Sequence, residues 1–445
     1  MSTLSAAVAK APGEARVAGP VQGFRPKDLL RRSGFRSGRA QLKGRRIAVD
    51  VADMSAALAA MIELDGLAAR MLLLPPGLSS DIRAQLLARA QIDGIVRSPD
   101  LADGDPRLEV FPYDLGALSP APEPTAGTLT QWAMATSGTS GAPKAALHGL
   151  ASLTAAIGAA PPAAWGTFYE IRRYGGLQIA LRALLGGGPL TLTGPGEATP
   201  QYLARLAAAG ATHVSGTPSH WRRVLMDDTH AFAPESVRLS GEIVDQGVLN
   251  ALRARFPRAE IIHAYASTEA GVGFAVDDCL AGFPGDWLGA ERVPTLRAQG
   301  GALRIKGPGL ASAILGLDGP MLDPDGYFDS GDGVEIRDGR CHFLGRVNGT
   351  INVGGAKVNP ETVEAALALH PDVLACRVTA RRNPILGAVV AAEIVARGGA
   401  QRGPALKSAI LSQAAGRLKP HETPATLTFV DRLDLTAAGK VARLG

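Results

Sequence analysis

The sequence predicts an α/β protein, with a large N-terminal α/β unit of layered sheets that ends in antiparallel β structure and a small α+β unit after it. Two observations carry this. Short apolar runs alternate with Ala/Leu-rich stretches over about the first 270 residues, an order of strand, helix, strand that builds a largely parallel sheet under helices. From about Gly301 the texture changes to short β segments, and beyond Arg346 about a hundred residues mix helices with strands.

Taken in order, RIAVDVA at 46–52 reads as a strand, 55–64 as a helix, ARMLLLP at 69–75 as a strand, 80–90 as a helix and DGIV at 93–96 as a strand. A second run repeats the pattern, with strands at 189–194, 212–218, 237–242 and 260–266 and helices at 200–209 and 247–256. ALRIKG and YFDSGDGVEIRDGRCHFLGR then read as antiparallel strands, with Asp-Gly pairs at 325 and 338 as hairpin signals. In the last part helices are expected at 360–369 and 404–417, and strands at 373–380, 388–396 and 425–430. The expected division is 21–346 and 347–445, with a hinge at 346–349 and residues 1–20 as a disordered Ala-rich extension.

Composition narrows the function classes. The chain has 445 residues, 46% hydrophobic and 20% charged, which suits two or three folded domains with room for a cleft. Net charge is +5, but its arginines are scattered and no basic stripe interleaves with aromatics, which argues against nucleic acid as a partner. Cys279, Cys341 and Cys376 are far apart and lack metal-ligand spacing, so buried thiols of a reduced compartment are expected. No segment reaches the roughly 18 to 20 apolar residues of a membrane helix, and a cytoplasmic location is expected.

The most informative stretch is ATSGTSGAPK at 135–144, which follows a strand-like WAM and precedes a segment read as helical. Small residues at Thr136, Ser137, Gly138, Thr139, Ser140 and Gly141 leave backbone N–H groups open to phosphate oxygens, and Lys144 adds a charge. It is not a Walker A loop, which needs glycine directly before the lysine and Ser/Thr after it. Spacing alone fits a plain surface loop equally well.

TSGTSGAPKAALHG nevertheless resembles the phosphate-binding signature of the adenylate-forming superfamily, which includes acyl-CoA synthetases, peptide-synthetase adenylation domains and luciferases. Four further stretches resemble that family's elements in its order. In YASTEAG at 265–271 the resemblance makes Glu269 a magnesium ligand and Thr268 a contact to phosphate and adenylate, with Tyr265 beside them; Ala266 stands where glycine is usual. In YFDSGD at 327–332 it makes Asp332 the carboxylate that holds both ribose hydroxyls, joined by Arg346. RVNGTINVGG at 346–355 resembles the hinge and the thiol-side loop with Gly354 and Gly355, although Asn348 replaces the usual Asp or Lys. LTAAGKVAR at 435–443 resembles the terminal element whose lysine, here Lys440, enters the site during adenylation.

The resemblance implies a ligase that uses ATP and Mg²⁺ to convert a small carboxylic acid to its acyl adenylate. The acyl group then passes to the thiol of coenzyme A or of an acyl carrier protein, with the C-terminal unit mobile between the two steps. An amide-forming ligase or a non-catalytic nucleotide-binding homologue are the alternatives. Arg173 or Tyr174 is expected to line the acyl pocket; Ser215, Thr217 and Ser240 to Glu242 fall where pocket and adenine contacts usually lie; His148 is expected to be structural.

Overall fold

The computed structural model describes residues 3–36, 39–99, 107–121, 127–136, 143–158, 162–227, 232–384 and 386–434. The first apolar runs form a seven-stranded sheet. Arg46–Asp50 lies between Arg70–Leu73 and Gly94–Arg97, and Glu109–Pro112 and Gln131–Ala135 extend it in parallel on either side. Ala145–His148 and Ala313–Leu315 then close one edge antiparallel. Next along the chain is an eight-stranded sheet, with Leu190–Leu192, Trp165–Thr167, His213–Gly216, Ser236–Ser240 and Glu260–Ser267 as parallel neighbours and Gly271–Val276 antiparallel at the edge.

The helices between and behind these sheets explain their near-continuous apolar strands. Met54–Leu64 is buried on every side, as a helix caught between layers must be. Asp53 opens it by accepting the Ala56 N–H at 2.8 Å. Tyr174–Gly186 ends at Gly187, whose φ of 70° is left-handed and whose absent Cβ leaves room for the carbonyl oxygen of Pro12.

That contact corrects one expectation. Residues 3–20 are not a disordered extension. Leu4–Lys10 is a helix with Leu4 and Val8 buried, and Val17–Ala18 pairs in parallel with Leu190–Leu192. The Leu4 N–H donates to Asp65 Oδ2 at 2.6 Å, and the Trp132 indole N–H donates to Asp65 Oδ1 at 2.9 Å. Burial raises the Asp65 pKa above the ordinary carboxylate value against these two donors. An Ala-rich segment with two apolar residues carries no visible periodicity, which is why it reads as a tail.

The antiparallel end is a five-stranded sheet containing Thr295–Gln299, Ala302–Lys306, Phe328–Arg337 and Arg340–Arg346. Asp338 and Gly339 turn its hairpin with φ of 52° and 74°, the backbone an Asp-Gly hairpin requires. The chain leaves that sheet at Arg346, makes a 3₁₀ turn at Val347–Gly349 and enters a separate five-stranded sheet built on Val373–Asn383 and Gly387–Ala396. The helix Pro360–Leu367 and a core of its own cover this sheet. No helix among the described residues is long and apolar enough to cross a membrane. Of the cysteines, Cys341 is buried, whereas Cys279 and Cys376 are only partly so, a correction to the expected three buried thiols.

Candidate active site

Three of the predicted residues meet directly. Tyr265 stands near the end of Glu260–Ser267, and its hydroxyl donates to Asp332 Oδ2 at 2.6 Å. Arg346 pairs with Asp332 across the antiparallel ladder, its Nε 3.2 Å from Asp332 Oδ1, and its Nη1 donates to the Ser330 carbonyl at 2.5 Å. The Asp332 carboxylate is thereby oriented from both sides, with further lone pairs left for other donors. Tyr265 stacks on Phe343 at 5.2 Å, and burial, then the neighbouring Asp332, raises its pKa well above the phenol's ordinary value. It remains a donor across the physiological range.

Thr268 and Glu269 come next, on the tight turn into Gly271–Val276. Gly271 has φ of 73° and sits against the Gly309 backbone, where any Cβ would collide. The Glu269 carbonyl accepts the Ala311 N–H at 2.9 Å, and the partly buried Glu269 carboxylate has no ion pair among the described residues. His148 Nε2 lies 2.7 Å from the Thr268 carbonyl oxygen, so Nε2 carries the hydrogen and Nδ1 accepts from the Ser152 hydroxyl at 3.0 Å. Burial lowers the His148 pKa, consistent with this neutral tautomer. His148 thus tethers the Thr268 turn to the other sheet, a link sequence spacing could not reveal because 120 residues separate the pair.

The described ends of the phosphate-type loop, Thr136 and Lys144, pair through a Thr136 N–H to Lys144 carbonyl bond of 3.0 Å. The flanking strands Gln131–Ala135 and Ala145–His148 pair antiparallel, so the segment directly after the loop is a strand and not the expected helix. Lys144 is four residues from His148, about 13 Å along a strand, and no contact joins it to Glu269 among the described residues. Ser137, Gly138, Thr139, Ser140, Gly141 and the terminal Lys440 lie outside the described residues. Gly354 and Gly355 form the left-handed turn between Ile351–Val353 and Ala356–Val358, with φ of 57° and 93°; the Gly354 N–H donates to the Leu386 carbonyl within the C-terminal sheet.

Several weaker candidates have structural duties. Thr217 caps Pro218–Val224 in a capping box with His220. The Glu242 carboxylate accepts the Ser219 N–H at 2.9 Å and the Ser219 hydroxyl at 3.0 Å. Tyr174 is buried beside His148, ring centroids 5.6 Å apart, and the partly buried Arg173 has an Nε without a partner. A recess of about 440 Å³ between Gln246–Arg255 and the C-terminal unit is lined by Asn250, His370 and Arg397 and includes none of the predicted residues.

The strand-end Tyr265 to Glu269 turn, the oriented Asp332 and the paired strands that flank the 136–144 loop occur together with a decisive sequence match. The model for the "AMP-binding enzyme" family matches residues 69–314, more than half the chain, and that for the "AMP-binding enzyme C-terminal domain" matches 362–440. This chain belongs to the AMP-binding enzyme family. Among curated relatives it is 31% identical to a phosphinothricin tripeptide synthetase of Streptomyces viridochromogenes, over 58% of this chain and 24% of that protein. It is 27% identical to a p-hydroxybenzoic acid–AMP ligase of Mycobacterium tuberculosis over 72% of this chain and 49% of that one. It is also 30% identical to a probable 2-succinylbenzoate–CoA ligase of Mycobacterium tuberculosis, covering 69% and 81%. The chain thus spans about a quarter and about half of the first two relatives.

Solved AMP-binding structures share the fold. A benzoate CoA ligase from Burkholderia xenovorans superposes with a TM-score of 0.78 at 18% identity, covering 99% of both chains. An amide bond synthetase from Marinactinospora thermotolerans gives 0.74 at 19%, covering 98% and 97%. For an AMP-binding enzyme, the large N-terminal and small C-terminal units are the family architecture.

Proposed function

We propose that this AMP-binding enzyme activates a carboxylic acid with ATP as the acyl adenylate and transfers the acyl group to the thiol of coenzyme A or a carrier protein. The observation that carries the reading is the Asp332 carboxylate, oriented by Tyr265 and Arg346 with lone pairs left for further donors, together with the Thr268–Glu269 turn that follows Tyr265 in the chain. Asp332 would hold the ribose diol and Thr268 the phosphate. The 136–144 loop would orient the outer phosphates, with Lys144 balancing their charge.

Glu269 suits a hard divalent ion. No group of three or more metal-ligating side chains occurs among the described residues, so magnesium would be held by this carboxylate together with phosphate oxygens and water. Bound there, magnesium would offset charge on the phosphates. Lys440 would approach the α-phosphate in the adenylating pose, and a turn at Val347–Gly349 would let the C-terminal unit exchange it for the Gly354–Gly355 loop. Asn348-Gly349 would absorb that rotation.

A thiol acceptor is favoured by the probable 2-succinylbenzoate–CoA ligase, a curated relative of which this chain covers 81%. An amine acceptor is the second reading, favoured by the amide bond synthetase of the same fold. The test is acid-dependent pyrophosphate release from Mg-ATP over a panel of carboxylic acids, with coenzyme A, carrier protein or amine supplied in parallel. Lys440→Ala should abolish release yet spare thioester formation from supplied acyl adenylate. Equal loss of both steps would remove the rotating-domain mechanism.

A further inference from the structure

His148 ends the strand Ala145–His148, whose other three residues are apolar, and lies between neighbouring strands with 1% of its surface exposed. Desolvation disfavours its charged form, a strain that an apolar residue at the same place would avoid. Its polar atoms are engaged. Nε2–H donates to the Thr268 carbonyl, 120 residues along the chain, at 2.7 Å, and Nδ1 meets the Ser152 hydroxyl at 3.0 Å.

The bond to Thr268 closes a ring. The Glu269 carbonyl, next in the chain, accepts the Ala311 N–H at 2.9 Å. Ser312, next after Ala311, donates both its N–H and its hydroxyl to the Leu147 carbonyl, at 2.7 and 3.1 Å. Leu147 precedes His148, so three pairs of adjacent residues, 147–148, 268–269 and 311–312, brace one another. Backbone N–H groups make two of these links whatever the side chains are; the third depends on the identity of His148.

The turn needs bracing from outside its own strands. Pairing between Glu260–Ser267 and Gly271–Val276 slips at a bulge between Tyr265 and Ala266, and Ser267 with Gly271 is the last pair. A bulge disrupts the ladder locally, so the strands alone hold Thr268 and Glu269 loosely. The brace ties those two residues to the strand that begins directly after Lys144, which itself pairs with Thr136.

We infer that His148 is a positioning residue for the ATP phosphates: by holding the Thr268 carbonyl it fixes the Thr268–Glu269 turn relative to the strands that carry Thr136 and Lys144. The inference rests on the reading of that turn and the 136–144 loop as the phosphate side of the site. Asp332, assigned to the ribose, is oriented by Tyr265 and Arg346, so the effect of His148 is confined to the phosphates.

The test compares Kd for Mg-ATP with Kd for adenosine, which offers base and ribose alone, by calorimetric titration without acid. The rate of pyrophosphate release at saturating acid is the second readout. His148→Leu removes the donor, His148→Asn keeps an amide too short to reach Thr268, and His148→Gln sets an amide N–H where Nε2 stands. His148→Leu and His148→Asn should each weaken Mg-ATP about tenfold or more, leave adenosine within about twofold, and slow pyrophosphate release. His148→Gln should recover both readouts to within about threefold of wild type. Where His148→Leu does not fold, the Asn and Gln substitutions carry the comparison. Equal weakening of Mg-ATP and adenosine, or a Gln substitution that recovers nothing, would overturn the positioning role and leave His148 a core residue of a working nucleotide site. Wild type that binds Mg-ATP no tighter than adenosine would instead overturn the phosphate reading of the turn, and this role with it.

Discussion

Asp332→Ala is the sharpest perturbation of the proposed nucleotide site, because the structure isolates what the carboxylate does. Its Oδ2 is oriented by Tyr265 and its Oδ1 by Arg346, and a fifth of the side chain remains accessible to a ligand. A hydrogen bond to a charged acceptor contributes about 1.5–3 kcal/mol, so two ribose hydroxyls give about 3 kcal/mol at the solvent-screened lower end. That corresponds to roughly a hundredfold weaker Kd for Mg-ATP. Calorimetric titration without any acid measures this directly, with no turnover. Titrating 2′,3′-dideoxy-ATP in parallel makes the control, since the analogue lacks both hydroxyls and should lose less than about threefold on the same substitution. Tyr265→Phe removes only the orienting donor and neither ribose acceptor, so it should weaken ATP less than Asp332→Ala does, about fivefold for an orientation loss of about 1 kcal/mol. Equal losses for ATP and the dideoxy analogue, or no loss for either, would refute the assignment of Asp332 to the ribose.

Two other expectations concern the scaffold. Leu4 is fully buried, so Leu4→Ala should cost about 2–4 kcal/mol in urea unfolding, whereas a residue in a disordered tail would change stability by less than about 0.5 kcal/mol. His220 is partly buried, stacked on Phe168 and hydrogen-bonded with Thr217, and desolvation of its ring lowers its pKa to about 4. Its native state therefore resists protonation. The stabilisation is fully present above the unfolded pKa of about 6.5 and is lost as pH falls toward about 4, a total of about 3 kcal/mol. Unfolding at pH 7.5 and 4.5 should show His220→Gln with a shallower loss than wild type, and identical pH slopes would contradict the burial argument.

Legibility in the sequence depends on how local the physics is. The strands at 46–50, 213–216 and 260–267 announce themselves as apolar runs bounded by turn residues, and Asp338-Gly339 fixes a hairpin by backbone preference alone. The partnership of Tyr265 with Asp332 is readable only as two motifs of one resemblance, because a contact across 67 residues has no local signature. The N-terminal helix escapes a reading of the sequence because its signal is two buried side chains and a remote carboxylate, Asp65. The segment after the 136–144 loop reads as a helix because ALHGLASLT carries apolar residues compatible with either period, and pairing with Gln131–Ala135 and Ala313–Leu315 decides for the strand.

Counting charge also misleads until partners are known. A net charge of +5 with scattered arginines reads as a featureless basic surface. Once the fold is in hand, Arg39 with Glu63 and Arg172 with Glu170 are internal pairs that answer to the scaffold, and their charges cancel locally. Arg346 likewise directs its charge at Asp332 across the antiparallel ladder, so a count of arginines overstates the charge that the folded chain presents.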